Sequence, residues 1–372
     1  MLEGLGKKSG KKALIVATIV EFITSFEMND IKLLQQLGYQ VSCATNLEEA
    51  VHQDRIEQLK KKGVKIYNIP FSRLPITKQN INAYKKLRNL MHKEQFDLIH
   101  CHTPVGGVLG RIAAHKEHVP NIFYTAHGFH FYDGAPLKNW LIFYPVEKFL
   151  SRYTDVLITI NKEDYKRATE KFHAKKMVYI PGVGVDVEKF APRQSGRDKI
   201  RAELGLKDTD FMLLSVGELN ENKNHASVIK AIAGKDITYV IVGKGAKEAE
   251  LKTMADENNV DLRLTGFRTD VADFYDAADV YILPSIREGL NVSLMEAMAS
   301  GLPVACAQIR GNVDLVDDEN CLFEPVDVDG IKSAVEYALE NRKKLDEQNL
   351  KKIQAFNLIA VEKLMSDIYE GG

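Results

Sequence analysis

Two carboxylates stand with seven residues between them in PSIREGLNVSLMEAMASGLPV, the segment that follows the apolar run ending at Leu283. Glu288 falls in a strand-to-helix loop, and Glu296 lies about one turn into the helix that the following apolar spacing predicts. Asn291 and Ser293 are the residue types that cap a helix N-terminus. The backbone N–H groups of Gly289, Leu290 and Asn291 then point outward at the positive end of the helix dipole, an arrangement that binds phosphate without a cation. Glycine at 289 permits close backbone approach, and carboxylates on either side of such a cradle are good acceptors for sugar hydroxyls. Taken by spacing alone, the same pair also fits two exposed helix glutamates.

Further residues follow other strand-like runs. His127 lies in TAHGF (125–129), Lys223 in the loop of VGELNENKN (216–224), and Arg268 in the turn from Gly266 to Asp270. Gly243-Lys244-Gly245 lies between a strand and a helix, where a GxG pattern also serves simply to turn the chain. Rival chemistries have weaker support. Asp208-Thr209-Asp210 is a metal-binding DxD triplet, but it precedes a strand rather than following one. His100, Cys101 and His102, with His127 and His130, lack a helix-spaced histidine pair, so no metal site is expected from them. A GxSxG elbow is absent, and so is a dinucleotide glycine fingerprint after the first strand. Cys43, Cys101, Cys306 and Cys321 form no CxxC pair and read as buried thiols in a reducing compartment.

The elements that would carry these residues alternate between short Val- and Ile-rich runs and longer amphipathic segments. The first series of strands is expected at 13–18, 40–44, 65–69, 98–101, 122–125 and 156–160. The second is expected at 211–216, 238–242, 262–264, 280–283, 303–305 and 321–323. Nearly continuous apolar strands separated by helices imply parallel sheets covered on both faces, and two series imply two doubly wound α/β domains. The Gly-, Pro- and charge-rich stretch from Gly182 to Gly196 reads as the linker. Ligands bind beyond the carboxyl ends of such strands, so the two domains are expected to face a central cleft.

The chain has 372 residues, 45% hydrophobic and 27% charged, which excludes a disordered chain, and no run approaches the length of a membrane span. No apolar signal core follows the polar first dozen residues, so a cytoplasmic protein is expected. The formal charge of −1 conceals an asymmetry. Residues 1–190 carry 28 Lys and Arg against 19 Asp and Glu, and the remainder carries 22 against 32. Residues 123–149 add nine aromatics, including Trp140; most are expected in the core, and with the basic first half they offer a surface for anionic lipid at the inner face of the plasma membrane. Nothing in the pattern calls for nucleic acid.

The string EGLNVSLMEAMASGLPV resembles the signature of family 4 retaining glycosyltransferases of GT-B fold. The resemblance continues through VGELNENKN, VIVGKGAKEAEL, LTGFRTDVADFYDAADVYILPS, DLIHCHTP, TAHGF and YIPGVGVD, in the family's order over nearly the whole chain. It implies two Rossmann-like domains: an acceptor-side domain over 1–188 and a nucleotide-sugar domain over 189–352. A C-terminal helical segment over 353–372 is expected to cross back to the first. It also implies site roles. Glu288 would support positive charge developing on the donor sugar, with His127 reaching the same sugar. Glu296 would hold the nucleotide ribose, the amides of Gly289, Leu290 and Asn291 the diphosphate and Lys223 the leaving phosphate, while the Gly266–Asp270 turn with Arg268, a donor-binding residue, resembles the segment beside the base.

Two departures from the family pattern stand out. Glu218 occupies the loop where an arginine commonly pairs with the lysine, so either it turns away or Arg268 or Arg287 substitutes. The loop after Thr18 lacks the usual paired glycines, reading IVEFITSFEMNDIKLL, which bears on acceptor contact. The implied function is metal-independent, cofactor-free, retaining transfer from a nucleotide sugar, with UDP as the expected nucleotide. The acceptor would be a lipid-linked or other glycan in bacterial exopolysaccharide or capsule synthesis. The alternative is a catalytically weak sugar-nucleotide-binding partner subunit.

Overall fold

A computed structural model describes residues 10–48 and 53–371. It divides into two compact units: the first runs to Ile180 and is completed by residues from Glu362 onward, and the second spans Pro181–Val361. Each is a parallel sheet with helices, and the two together constitute the GT-B α/β fold.

In the first unit the strands are β1 (Lys12–Ile19), β2 (Gln40–Asn46), β3 (Lys65–Asn68), β4 (Leu98–Cys101), β5 (Asn121–Ala126), β6 (Val156–Thr159) and β7 (Lys176–Tyr179). They lie in the order β3-β2-β1-β4-β5-β6-β7, all parallel. Residues 13–17 of β1 are fully buried, as a strand covered on both faces requires. The sequence reading does not include β7. Its KMVY segment is a partly exposed edge strand, without the continuous apolar run that marks its neighbours.

The helix Pro104–Lys116 carries Gly106, Gly107 and Gly110 on the face that meets the sheet. A methyl at Gly110 would run into Cys101 Sγ and one at Gly107 into the Tyr124 ring, so the glycines set how closely helix and strands approach. Buried Arg111 is held by Glu147 at 2.7 Å, and its guanidinium stacks 3.8 Å from the Tyr124 ring.

The second unit contains β8 (Met212–Val216), β9 (Thr238–Val242), β10 (Asp261–Gly266), β11 (Val280–Leu283), β12 (Val304–Ala307) and β13 (Leu322–Phe323). Their order, β10-β9-β8-β11-β12-β13, is the doubly wound arrangement, again all parallel. Each sheet reverses its winding beside its first strand, between β1 and β4 in one unit and between β8 and β11 in the other. Ligands in such sheets sit beyond the strand carboxyl ends at that point. The loops after β1, β4, β8 and β11 are therefore where chemistry is to be sought.

The aromatic stretch divides. Phe123, Tyr124, Phe129 and Phe131 are buried, and Trp140, Phe143 and Tyr144 pack against that core. The helix Leu137–Leu150 turns Leu137, Leu141, Ile142 and Phe149 to solvent. Among the described residues no helix is long and apolar enough to cross a membrane.

Candidate active site

In the second unit, the loop after β11 leads into the helix Val292–Ala299. Asn291 is its N-cap: the side-chain Oδ1 accepts from Leu294 N at 3.1 Å and from Ser293 Oγ at 2.6 Å. Ser293 is in turn held by the Tyr281 hydroxyl at 2.6 Å. The cap fixes the entry of the chain into the helix, and with it the direction of the preceding amides.

Leu290 packs against Gly182, where the backbone is left-handed. Gly311, with φ of 82°, lies so close behind Gly289 that a methyl there would meet the Gly289 carbonyl. Buried Arg310 donates from Nε to the Glu288 carbonyl at 3.3 Å.

The loop after β8 is tied to this one. Asn222 donates from Nδ2 to the Arg287 carbonyl at 2.9 Å and accepts from Ile286 N at 2.8 Å. Asn224, in the left-handed region, reaches the Pro284 carbonyl at 3.2 Å. These ties bring Lys223 Nζ within 2.7 Å of Glu288 Oε1, both side chains being mostly buried. Gly217 lets the lysine stem lie along the backbone, since a side chain there would touch its Cε. Glu218 is exposed and accepts from Asn220 Nδ2 at 3.0 Å.

Glu296 is half-buried and accepts from the Tyr275 hydroxyl at 2.9 Å. Burial raises its carboxyl pKa, while the tyrosine bond and nearby Lys189 oppose that shift. The structure thus gathers Lys223, Glu288, Gly289, Leu290, Asn291 and Glu296 around one helix start. Arg268 is engaged elsewhere: its guanidinium grips Glu203 at 2.7 and 3.0 Å and Asp270 at 2.8 and 2.9 Å.

The first unit holds a separate buried cluster at its own switch point. His127 follows β5, His102 follows β4, and Glu27 lies between the helices Val20–Phe26 and Met28–Gln36 that succeed β1. His127 Nε2 is 3.2 Å from His102 Nδ1 and 3.5 Å from Glu27 Oε1, and its ring meets the edge of Phe22 at 4.8 Å. Behind them, His100 reaches the Tyr369 hydroxyl at 2.7 Å and Thr125 at 2.8 Å, and Tyr369 donates to Asp30 at 2.8 Å.

Burial pushes the pKa of each of the three imidazoles down and those of the Glu27 and Asp30 carboxyls up, so the cluster favours neutral forms. The sequence reading does not single out Glu27, Tyr275, Asn222 or Arg310. The one available signal is position after a strand, which Glu27 and Asn222 share with many polar residues.

The chain as a whole is similar to known glycosyltransferases. The family described as Glycosyl transferases group 1 matches residues 196–354, and the family described as Glycosyl transferase 4-like matches residues 14–161. EpsD of Bacillus subtilis, named as a glycosyltransferase, is 37% identical over 327 residues, covering 83% of this chain and 81% of its own. The chain belongs to the family 4 glycosyltransferases.

An Escherichia coli UDP-Gal:alpha-D-GlcNAc-diphosphoundecaprenol alpha-1,3-galactosyltransferase is 34% identical to this glycosyltransferase over 282 residues, covering 70% of this chain and 73% of its own. Among solved structures, Anabaena HepE in complex with UDP and glucose superposes with a TM-score of 0.79 at 18% identity, over 97% of this chain and all of that one. WaaG, a glycosyltransferase involved in lipopolysaccharide biosynthesis, superposes at 0.72 with 17% identity, over 97% of this chain and all of that one. At such identities these two likenesses concern the fold.

Proposed function

We propose that this glycosyltransferase of polysaccharide biosynthesis moves a sugar from a UDP-sugar to a lipid-linked glycan acceptor with retention of configuration and without a metal. The observation that carries the reading is the Lys223–Glu288 contact at the start of the helix capped by Asn291. A phosphate placed at that helix start meets the Gly289, Leu290 and Asn291 amides and the positive end of the dipole. Lys223 then turns from Glu288 to the leaving diphosphate as negative charge grows there, and Glu288 is released toward the sugar, where positive charge develops. Arg310, at the back of the same loop, adds positive charge to the cradle. Glu296, oriented by Tyr275, accepts from the ribose hydroxyls. Arg268, with its N–H groups engaged by Glu203 and Asp270, belongs to the donor-binding segment beside the base.

His127 is the first unit's contribution to catalysis. It is held neutral, and so able to bond a sugar hydroxyl as donor or acceptor. No motif positions a nucleophile beside Glu288, so on this reading the acceptor attacks on the face that the diphosphate leaves, and the leaving phosphate takes its proton.

Support for the donor and acceptor comes from the relatives: HepE is described with UDP and glucose, and the E. coli galactosyltransferase by a UDP-sugar and a diphosphoundecaprenol-linked acceptor. A lipid-linked acceptor places the reaction at the cytoplasmic face of a membrane, with the basic first half toward anionic lipid.

The test is release of free nucleotide from a panel of nucleotide sugars, in excess chelator, with undecaprenyl-diphosphate-linked sugars as acceptors. Release from a UDP-sugar, with an acceptor-linked product of the donor's anomeric configuration, is expected. Turnover that disappears in chelator and returns with manganese or magnesium, or an inverted product, overturns the reading.

A further inference from the structure

Three side chains converge at the switch point of the first unit. Glu27 Oε1, His102 Nδ1 and His127 Nε2 form a triangle with edges of 3.2, 3.5 and 3.2 Å. Glu27 Oε1 is buried and accepts no aligned hydrogen bond among the described residues.

The three atoms' spacing of about 3.3 Å matches what a tetrahedral metal requires when it holds nitrogen and oxygen at roughly 2.0–2.1 Å. Two imidazoles and one glutamate are a donor set that zinc uses, and imidazole also suits nickel, copper and cobalt. His102 and His127 directly follow β4 and β5, neighbouring strands in parallel register, and Glu27 ends the helix Val20–Phe26 that follows β1, so regular elements carry all three. His102 and Glu27 are almost fully buried, whereas 20% of the His127 side chain is exposed, so solvent reaches the cluster at the His127 corner.

We infer that Glu27, His102 and His127 bind a late first-row divalent cation, zinc foremost, and that the bound ion withdraws His127 from sugar transfer. The second half of this inference rests on the catalytic role proposed for His127; the first half does not. His102 Nε2 has no acceptor among the described residues, so the partner that usually braces a ligating histidine is missing. Such a site loads and unloads with the free ion concentration, unlike a permanent structural centre.

Chelator-treated full-length protein titrated with cobalt(II) alone tests the binding directly. The expected result is one cobalt per chain, with the visible absorption of four-coordinate cobalt, displaced by zinc. Glu27→Gln, His102→Gln and His127→Ala should each weaken binding by more than about tenfold, since each removes a ligand. Melting curves of the variants identify any that fails to fold, and His127→Ala, at the partly exposed corner, keeps the comparison available if a buried substitution does. Absence of the absorption, or binding unchanged in all folded variants, overturns the site. In parallel, zinc should inhibit nucleotide release and chelator should restore it. Cobalt binding without zinc inhibition would leave the site standing and overturn its link to His127.

Discussion

At the scale of single residues, the account turns on Lys223 and Glu288. They hold each other at 2.7 Å, and in the proposed mechanism each would gain a better partner from a bound nucleotide sugar: phosphate for the ammonium, developing positive charge for the carboxylate. Lys223→Ala should therefore cost about 3 kcal/mol of transition-state stabilisation, the size seen when one preorganised group is removed, read as a fall of roughly 150-fold in kcat/KM. Glu218→Ala should change kcat/KM little, because Glu218 is exposed and bonded to Asn220. A large gain in turnover with Glu218→Arg would instead mean that the natural carboxylate opposes the diphosphate.

Although the Lys223–Glu288 contact spans 65 residues and was not foreseen, the placing of Glu288 and Glu296 at one helix start was legible in the sequence, because the motif around them is local, with strand, loop and helix start following one another along the chain. Glu27 was not. Its partners His102 and His127 are contributed by other strands, and only the pairing of β1 with β4 and of β4 with β5 brings the three together. Arg268 illustrates the converse. The motif marks its position, but its contacts depend on Glu203, more than sixty residues earlier.

At the scale of elements, strands buried on both faces were readable from their apolar runs, and the partly exposed edge strand β7 was not. What the sequence does not display is how loops are braced from behind. The turn at Gly311 supports the cradle: it has a left-handed backbone, and the Gly289 carbonyl occupies the space a side chain would need. Gly311→Ala should displace residues 289–291 and weaken UDP binding, measured by calorimetry, by at least about tenfold. Gly38→Ala, also at positive φ but in open space, should leave UDP affinity unchanged, although it shares the backbone strain. Equal UDP affinity in the two variants would separate the cradle from the turn behind it.

At the scale of the whole molecule, two properties bear on where the enzyme works. The first 190 residues carry an excess of basic side chains and the rest an excess of acidic ones. In addition, Leu137, Leu141, Ile142 and Phe149 stand exposed on one helix that also carries Lys138 and Lys148. Basic residues near an anionic surface contribute about 1 kcal/mol each, an attraction that salt screens. The full-length enzyme should sediment with anionic vesicles at low salt and be released as salt rises, and Leu141→Asp should weaken that binding. A protein that stays in the supernatant at low salt would point to a soluble acceptor.

The central claim is that one helix start divides the work between two glutamates, Glu288 acting in the transition state and Glu296 holding the nucleotide. Paired measurement of turnover and nucleotide affinity in Glu288→Gln and Glu296→Ala tests it most directly. Glu288→Gln is expected to lose turnover while keeping near-normal affinity for UDP, and Glu296→Ala to lose affinity first. Wild-type behaviour of both variants, or the same loss of affinity in each with no separate effect on turnover, would contradict it.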